Sequence, residues 1–213
     1  MNSRITGIDD TDLLILVGCN PKSENPVLNA RIKKAVAVNG LEVVVIGSAP
    51  QLSYNYTHLG NSTETLKQLA EGTHPFSERL READLPMVLT SSLTLERSDG
   101  QAIINYINQL QEGTNLLSKE DNWNGFNVLH NDVGRLSALE LGITSKVPQG
   151  LPDAKVVYLL GADNFRHEEI PEDAFVIYQG HTGDEGAYYA DLILPSTSYL
   201  EKVGTYVNTD GRP

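Results

Sequence analysis

Short, unbroken apolar runs alternate along this chain with longer stretches in which apolar positions recur every three or four residues. Asp12-Leu13-Leu14-Ile15-Leu16-Val17-Gly18 is the first such run, and Leu41 to Gly47, Pro86 to Thr90 and Ala154 to Gly161 repeat its character. Continuous Val, Ile and Leu over five or so residues is the signature of a strand buried on both faces. Phe175 to Tyr178 and Leu192 to Leu194 read as two further short strands. Between the first two runs, Asn25-Pro26 supplies a cap and a first-turn proline. Val27, Leu28, Ala30, Ile32, Ala35 and Val36 then form one broad helical face before Asn39-Gly40 stops it. Ser62 to Gly72, Phe76 to Ala83, Asp99 to Gln111 and Leu129 to Leu141 read as further helices. Gly113 to Gly125 is polar and reads as a long loop, and Lys146 to Asp153 is a Pro- and Gly-rich break.

Strands separated by helices predict an α/β fold: a doubly wound, mainly parallel, Rossmann-like sheet with helices on both faces. The first βαβ unit should cross over with right-handed chirality. Residues 1–213 are expected to form part of one domain, with a possible subdivision near 146–153. After Leu194-Pro195 the chain becomes polar and glycine-punctuated and reaches neither a helix stop nor a closing strand, so the sequence reads as a portion of a longer protein.

Charge narrows the function classes. With 16 Lys and Arg against 28 Asp and Glu, the net charge is −12. That balance argues against nucleic acid and anionic membrane surfaces, both of which recruit clustered cations. No apolar run approaches the ~18 residues needed to span a bilayer. Met1-Asn2-Ser3-Arg4 resembles neither a secretory signal nor an Arg-rich transit peptide. A single cysteine, Cys19, cannot hold an iron–sulfur cluster, a structural zinc or an internal disulfide. At a strand end it can act as a nucleophile or metal ligand, but burial as a small hydrophobe is commoner.

Ligands of doubly wound sheets sit beyond the carboxyl ends of the strands, so those ends hold the candidate chemistry. Gly18-Cys19-Asn20-Pro21-Lys22-Ser23-Glu24 follows the first strand; it is neither a dinucleotide fingerprint nor a Walker A loop. Ile46-Gly47-Ser48 lacks the acidic residue that grips a ribose. Asp163, in Gly161-Ala162-Asp163-Asn164, suits a ribose or base edge, and equally a helix cap or turn. His181, in Gly180-His181-Thr182-Gly183-Asp184-Glu185-Gly186, has the residue types of a general base with Asp184 as orienter, or of a backbone nest for an anion. Neither catalysis nor metal binding is expected: the net acidity opposes phosphate, and His58, His74, His130 and His167 lie in separate segments.

Several of these segments in series resemble known proteins. Ala190-Asp191-Leu192-Ile193-Leu194-Pro195, then Glu201-Lys202 and Gly204-Thr205-Tyr206-Val207-Asn208-Thr209-Asp210-Gly211-Arg212, is similar to a signature of the molybdopterin oxidoreductase superfamily. The turn at Gly18-x-Asn20-Pro21 resembles the one those enzymes place against the nucleotide half of their pterin cofactor. Tyr178-Gln179-Gly180-His181, His58-Leu59-Gly60, Gly72-x-His74-Pro75-Phe76-Ser77, Pro86-Met87-Val88 and Leu159-Leu160-Gly161-Ala162-Asp163 resemble the large iron–sulfur subunit of respiratory complex I. The islands run in order along nearly the whole chain, with Gly113 to Asn124 and Thr144 to Asp153 unmatched.

That resemblance implies part of the C-terminal, molybdopterin-oxidoreductase-like domain of NADH:ubiquinone oxidoreductase. Its iron–sulfur clusters, 4Fe-4S and 2Fe-2S, would lie in an N-terminal part of the parent, with none here. Asn20, Asp163 and His181 would then be vestiges of a cofactor site, with no cofactor bound. The implied partners are other complex I subunits, with no nucleic acid and no membrane span. The implied location is the matrix side of the mitochondrial inner membrane, or the cytoplasmic side of a bacterial membrane. A molybdopterin-dependent oxidoreductase domain with an occupied pterin site is the alternative.

Overall fold

The computed structural model describes residues 1–132, 134–143 and 153–213. They form two compact units: residues 1–137 with 206–213, and residues 138–205. Residues 144–152, on which most of the expected break over 146–153 falls, lie outside the described residues.

Unit 1 is built on strands β1 (Leu13–Val17), β2 (Glu42–Ile46), β3 (Thr57–Gly60) and β4 (Met87–Ser91). A two-residue antiparallel ladder of β5 (Leu117–Ser118) and β6 (Trp123–Asn124) leads into β7 (Phe126–Leu129). The main sheet is parallel throughout, in the order β3-β2-β1-β4-β7. The chain winds outward from β1 through β2 to β3, returns to β4 and continues to β7, so the winding reverses between β1 and β4. Such reversals open a crevice at the carboxyl ends of the strands.

Alternation along the strands explains the two cores. Leu14, Leu16, Val43, Val45, Met87 and Leu89 face one side, where Leu28, Ile32 and Ala35 of α2 (Pro26–Asn39) meet them. Leu13, Ile15, Val17, Val44, Ile46 and Val88 face the other. There they bury Leu66 and Leu69 of α3 (Thr63–Ala70), Leu80 of α4 (Ser77–Arg81), and Ile103, Ile107 and Leu110 of α6 (Gly100–Gly113). Because β1 is covered on both faces, every one of its residues must be apolar, which is why the run is unbroken. Helix α2 starts as expected, with the Asn25 side chain accepting from the Leu28 N–H at 3.3 Å, and ends at Gly40 in the left-handed region. Its buried stripe is narrower than the broad face read from the sequence. Val27 and Ala30 are exposed, because the row that meets the sheet is Leu28, Ile32 and Ala35 with the partly buried Val36.

Three sequence readings are corrected here. The run at Val156–Leu160, read as a strand buried on both faces, alternates exposed and buried residues, because the core of its unit packs on one face only among the described residues. Leu129 ends strand β7, and the helix expected from it starts only at α7 (Arg135–Glu140). The expected loop over 113–125 contains the β5–β6 ladder. The short α1 (Pro21–Glu24) and α5 (Ser92–Leu95) occupy the strand-end turns after β1 and β4.

Unit 2 contains a three-stranded parallel sheet, β10-β9-β8, formed by β8 (Val156–Leu160), β9 (Phe175–Gly180) and β10 (Leu192–Pro195). Val157, Leu159, Val176 and Tyr178 make its core with Ala174. Packed on them are Phe165 and Ile170 from the β8–β9 connection, and Ala187 and Ala190 from the β9–β10 connection. The latter carries the one-turn helix α8 (Glu185–Tyr188).

Candidate functional site

The crevice at the carboxyl ends of β1 and β2 is where the fold directs attention. An open cleft of about 540 Å³ lies there, lined by Gly18, Cys19, Asn20, Glu24, Gly47 and Ser48, with Arg97 and the 49–51 loop at its rim. Its floor depends on two glycines in the left-handed region, Gly18 at φ 60° and Gly47 at φ 117°. A Cβ on Gly47 would stand 3.3 Å from the Gly18 Cα, and one on Gly18 would stand 2.7 Å from the Thr94 Cγ2. This close approach explains why both strand ends are glycine.

The reversal between β1 and β4 is bridged by side chains. The Thr94 hydroxyl donates to the Gly18 carbonyl, the Thr90 hydroxyl to the Val17 carbonyl at 2.9 Å, and the Cys19 thiol to the Leu89 carbonyl at 3.2 Å. The groups a ligand would engage at the switch point are therefore committed to one another.

Beside them, Asn20 caps α1: its side chain accepts from the Lys22 N–H at 3.1 Å, and its own N–H donates to Glu24 Oε1 at 2.6 Å. The turn that resembles the pterin-binding one thus carries an internal carboxylate on its free N–H. The second Glu24 oxygen is buried without a hydrogen-bond partner. An anion seated about 4 Å from Glu24 would be repelled by about 4 kcal/mol at a near-surface effective dielectric of about 20. A helix N-terminus contributes only ~0.3–1 kcal/mol in favour. Arg97 does not redress the balance, because its guanidinium is bidentate to Asp99 at 2.9 Å on both arms. Hydrogen bonds from Thr63 and Arg97 hold the Asp99 carboxyl below the usual carboxylate range. The residues present do not fit a phosphate-bearing pterin.

Cys19 is buried, and burial, with Glu24 adding a nearby negative charge, pushes its thiol well above the ordinary range. A thiol in this state is not nucleophilic. We expect no reaction of native protein with an aromatic disulfide reagent at pH 8 and stoichiometric reaction in denaturant; fast native labelling contradicts the assignment. The raised folded value also fixes a sign. Its stabilising contribution is complete below the unfolded thiol's pKa of about 8.5 and declines as pH rises past it.

Asp163 and His181 belong to unit 2, whereas the Asn20 turn belongs to unit 1. Asp163 is a hydrogen-bonding hub: Oδ2 accepts from Tyr178 at 3.1 Å and Thr182 at 3.3 Å, and Oδ1 accepts from the Gly186 N–H at 2.9 Å. Together these bonds fold the 180–186 loop onto the ring of Tyr178. His181 is exposed, and no hydrogen bond joins it to Asp184, the residue preceding α8. Sequence reasoning passed over Tyr178 as one more strand residue. Its signal is the two glycines that follow it, Gly180 and Gly186, since a Cβ on either would fall within 2.4 Å of the tyrosine side chain.

The Asn208-Thr209-Asp210-Gly211-Arg212 segment is a compact turn within unit 1. The Asn208 side chain accepts from the N–H groups of Asp210 at 3.0 Å and Arg212 at 2.9 Å, and Asp210 Oδ1 accepts from the Ile5 N–H at 2.9 Å. Among the described residues, no group of three or more His, Cys, Asp or Glu is placed to hold a metal, and no helix is long and apolar enough to cross a membrane.

The family model for molybdopterin oxidoreductase matches residues 1–213 in full. The chain belongs to the molybdopterin oxidoreductase family. Within it, the chain is 38% identical over 211 residues to the mitochondrial NADH dehydrogenase [ubiquinone] iron-sulfur protein 1 of Solanum tuberosum, covering 99% of this chain and 28% of that protein. It is 41% identical over 216 residues to the mitochondrial NADH-ubiquinone oxidoreductase 78 kDa subunit of Neurospora crassa, with 99% and 28% covered. It is 38% identical over 212 residues to an NADH-quinone oxidoreductase subunit of Rickettsia typhi, with 100% and 31% covered. The chain therefore spans less than a third of the length of these relatives. A chain of the formyltransferase/hydrolase complex (FhcABCD) from Methylorubrum extorquens shares the fold, with a TM-score of 0.65 at 15% identity, covering 100% of this chain and 70% of that one.

Proposed function

We propose that this chain is part of the large iron–sulfur subunit of a complex I NADH:quinone oxidoreductase and serves it as a structural and docking body without a redox centre of its own. The observation that carries this reading is 38–41% identity across 99–100% of the chain to such subunits from plant, fungal and bacterial sources. The crevice supports the second half. Glu24 occupies the turn that a pterin phosphate would need, and the switch point is crossed by Thr90, Thr94 and Cys19. One cysteine cannot ligate a cluster, and electron transfer requires a redox group that side chains do not supply. The 4Fe-4S and 2Fe-2S clusters then belong to other parts of the parent, and the partners are other complex I subunits. The assembly sits on the matrix side of the mitochondrial inner membrane or the cytoplasmic side of a bacterial one.

The test is to purify the intact subunit in its complex and measure metals together with NADH-driven quinone reduction. We expect iron and acid-labile sulfide, turnover, and no molybdenum or tungsten. Stoichiometric molybdenum would establish instead an occupied pterin site.

A further inference from the structure

Helix α2 has a second side. Leu28, Ile32 and Ala35 lie on the sheet, whereas Val27 and Val38 are 82% and 71% exposed, and Ala30, Lys33, Lys34 and Ala37 are exposed with them. Val27, Ala30, Lys34 and Ala37 follow an i, i+3, i+7, i+10 spacing, so they form a stripe along the outer side of the helix, flanked by Lys33 and Val38. At ~1.5 Å per residue the stripe runs about 15 Å, nearly three turns. That spacing is the one by which a helix pairs with another helix. The small side chains of Ala30 and Ala37 leave room for a close approach.

Charge selects the occupant. The chain has carboxylates to spare, 28 against 16 cations, yet α2 holds Arg31, Lys33 and Lys34 and no acidic residue. Asp9 pairs with Arg31. Lys33 and Lys34 enter no ion pair among the described residues. No carboxylate lies three or four positions from either of them, where a helix would neutralise its own charge. A second copy of this chain would bring lysines against lysines. An anionic lipid surface calls for a larger cluster, about four to eight cations. A lysine in the middle of the stripe also opposes permanent burial in one folded core, where Lys is almost never found unpaired. Interfaces between separately folded chains are about as polar as ordinary surface and accept such a residue opposite a carboxylate.

We propose that the outer side of α2 docks another subunit of the complex through an acidic amphipathic helix. Its apolar positions meet Val27, Ala30, Ala37 and Val38, and its Asp or Glu residues pair with Lys33 and Lys34. The valines supply the apolar contact, and the lysines set the register and speed encounter. This rests on the reading of the chain as part of a complex I subunit.

The experiment treats the purified, assembled complex with a water-soluble carbodiimide, which joins a lysine amine to a carboxylate only where the two already meet. Mass spectrometry should find Lys33 or Lys34 joined to an Asp or Glu of another subunit. Lys34→Glu should lower the amount of that subunit in the assembled complex several-fold, and replacing the linked carboxylate by Lys should restore it. Lys119→Glu, an exposed change elsewhere in unit 1, should leave it unchanged. A link to this polypeptide or to a second copy overturns the proposal. So do lysines that stay unlinked and acetylate freely in the intact complex, or Lys34→Glu and Lys119→Glu variants that assemble alike. A purified wild-type assembly without NADH:quinone activity would fail the functional reading instead and leave the cross-link result standing.

Discussion

Tyr178→Ala is expected to destabilise unit 2 by about 3–5 kcal/mol, the range for deleting a buried aromatic ring. Tyr178 is 1% exposed and central to its small core. Its hydroxyl is shared by Asp163 and Thr182, so Tyr178→Phe should cost only about 0.5–1.5 kcal/mol. A unit of this size has little stability to spare, and the alanine variant should leave it largely unfolded near room temperature. Trp123, the single tryptophan, is buried in unit 1, where its indole N–H donates to the Pro86 carbonyl at 2.9 Å. Hydrogen exchange should therefore show unit 2 opening while Trp123 fluorescence stays native. The comparison is Tyr188→Ala, a tyrosine 80% exposed. If the two alanine variants exchange alike, Tyr178 is not the keystone of its loop.

Gly18→Ala should cost unit 1 about 2–5 kcal/mol. About 1–3 kcal/mol comes from forcing a non-glycine residue into the left-handed region at φ 60°. The remainder is overpacking, since the new methyl would sit 2.7 Å from the Thr94 Cγ2. The two contributions separate in a double-mutant cycle. Thr94→Gly relieves the contact and leaves the backbone strain, so the pair should be less destabilised than the sum of the single variants by about 1 kcal/mol. Urea midpoints followed by Trp123 fluorescence read both. Strict additivity would mean that Thr94 moves aside freely and that the switch point is looser than its geometry implies.

Strands β1, β2 and β4 were legible in the sequence because two-sided burial writes itself as an unbroken apolar run, as in Leu13–Val17 and Val43–Ile46. Strand β3 went unread because it is an edge strand with Thr57 and His58 exposed, and β7 because its four residues follow directly on a polar loop. The strand-end turn at Asn20 was visible as a motif. What fills it was not, because Glu24 reaches back four residues by a bond that no residue pattern specifies. Asp163 and His181 were singled out as residue types. The structure gives Asp163 three donors and His181 no bond to Asp184, a difference that depends on which way a glycine-rich loop folds.

Unit 1 is discontinuous along the chain: it runs to Ser137 and resumes at Tyr206, and the turn at 208–212 holds its opening segment through Asp210 and Ile5. Synthesis proceeds in the other order of need. All of unit 2 is synthesised before the eight residues, 206–213, that complete unit 1. Until they are made, residues 1–5 lack the contact that Asp210 gives the Ile5 N–H. Unit 1 is thus completed by sequence made only after the whole of unit 2.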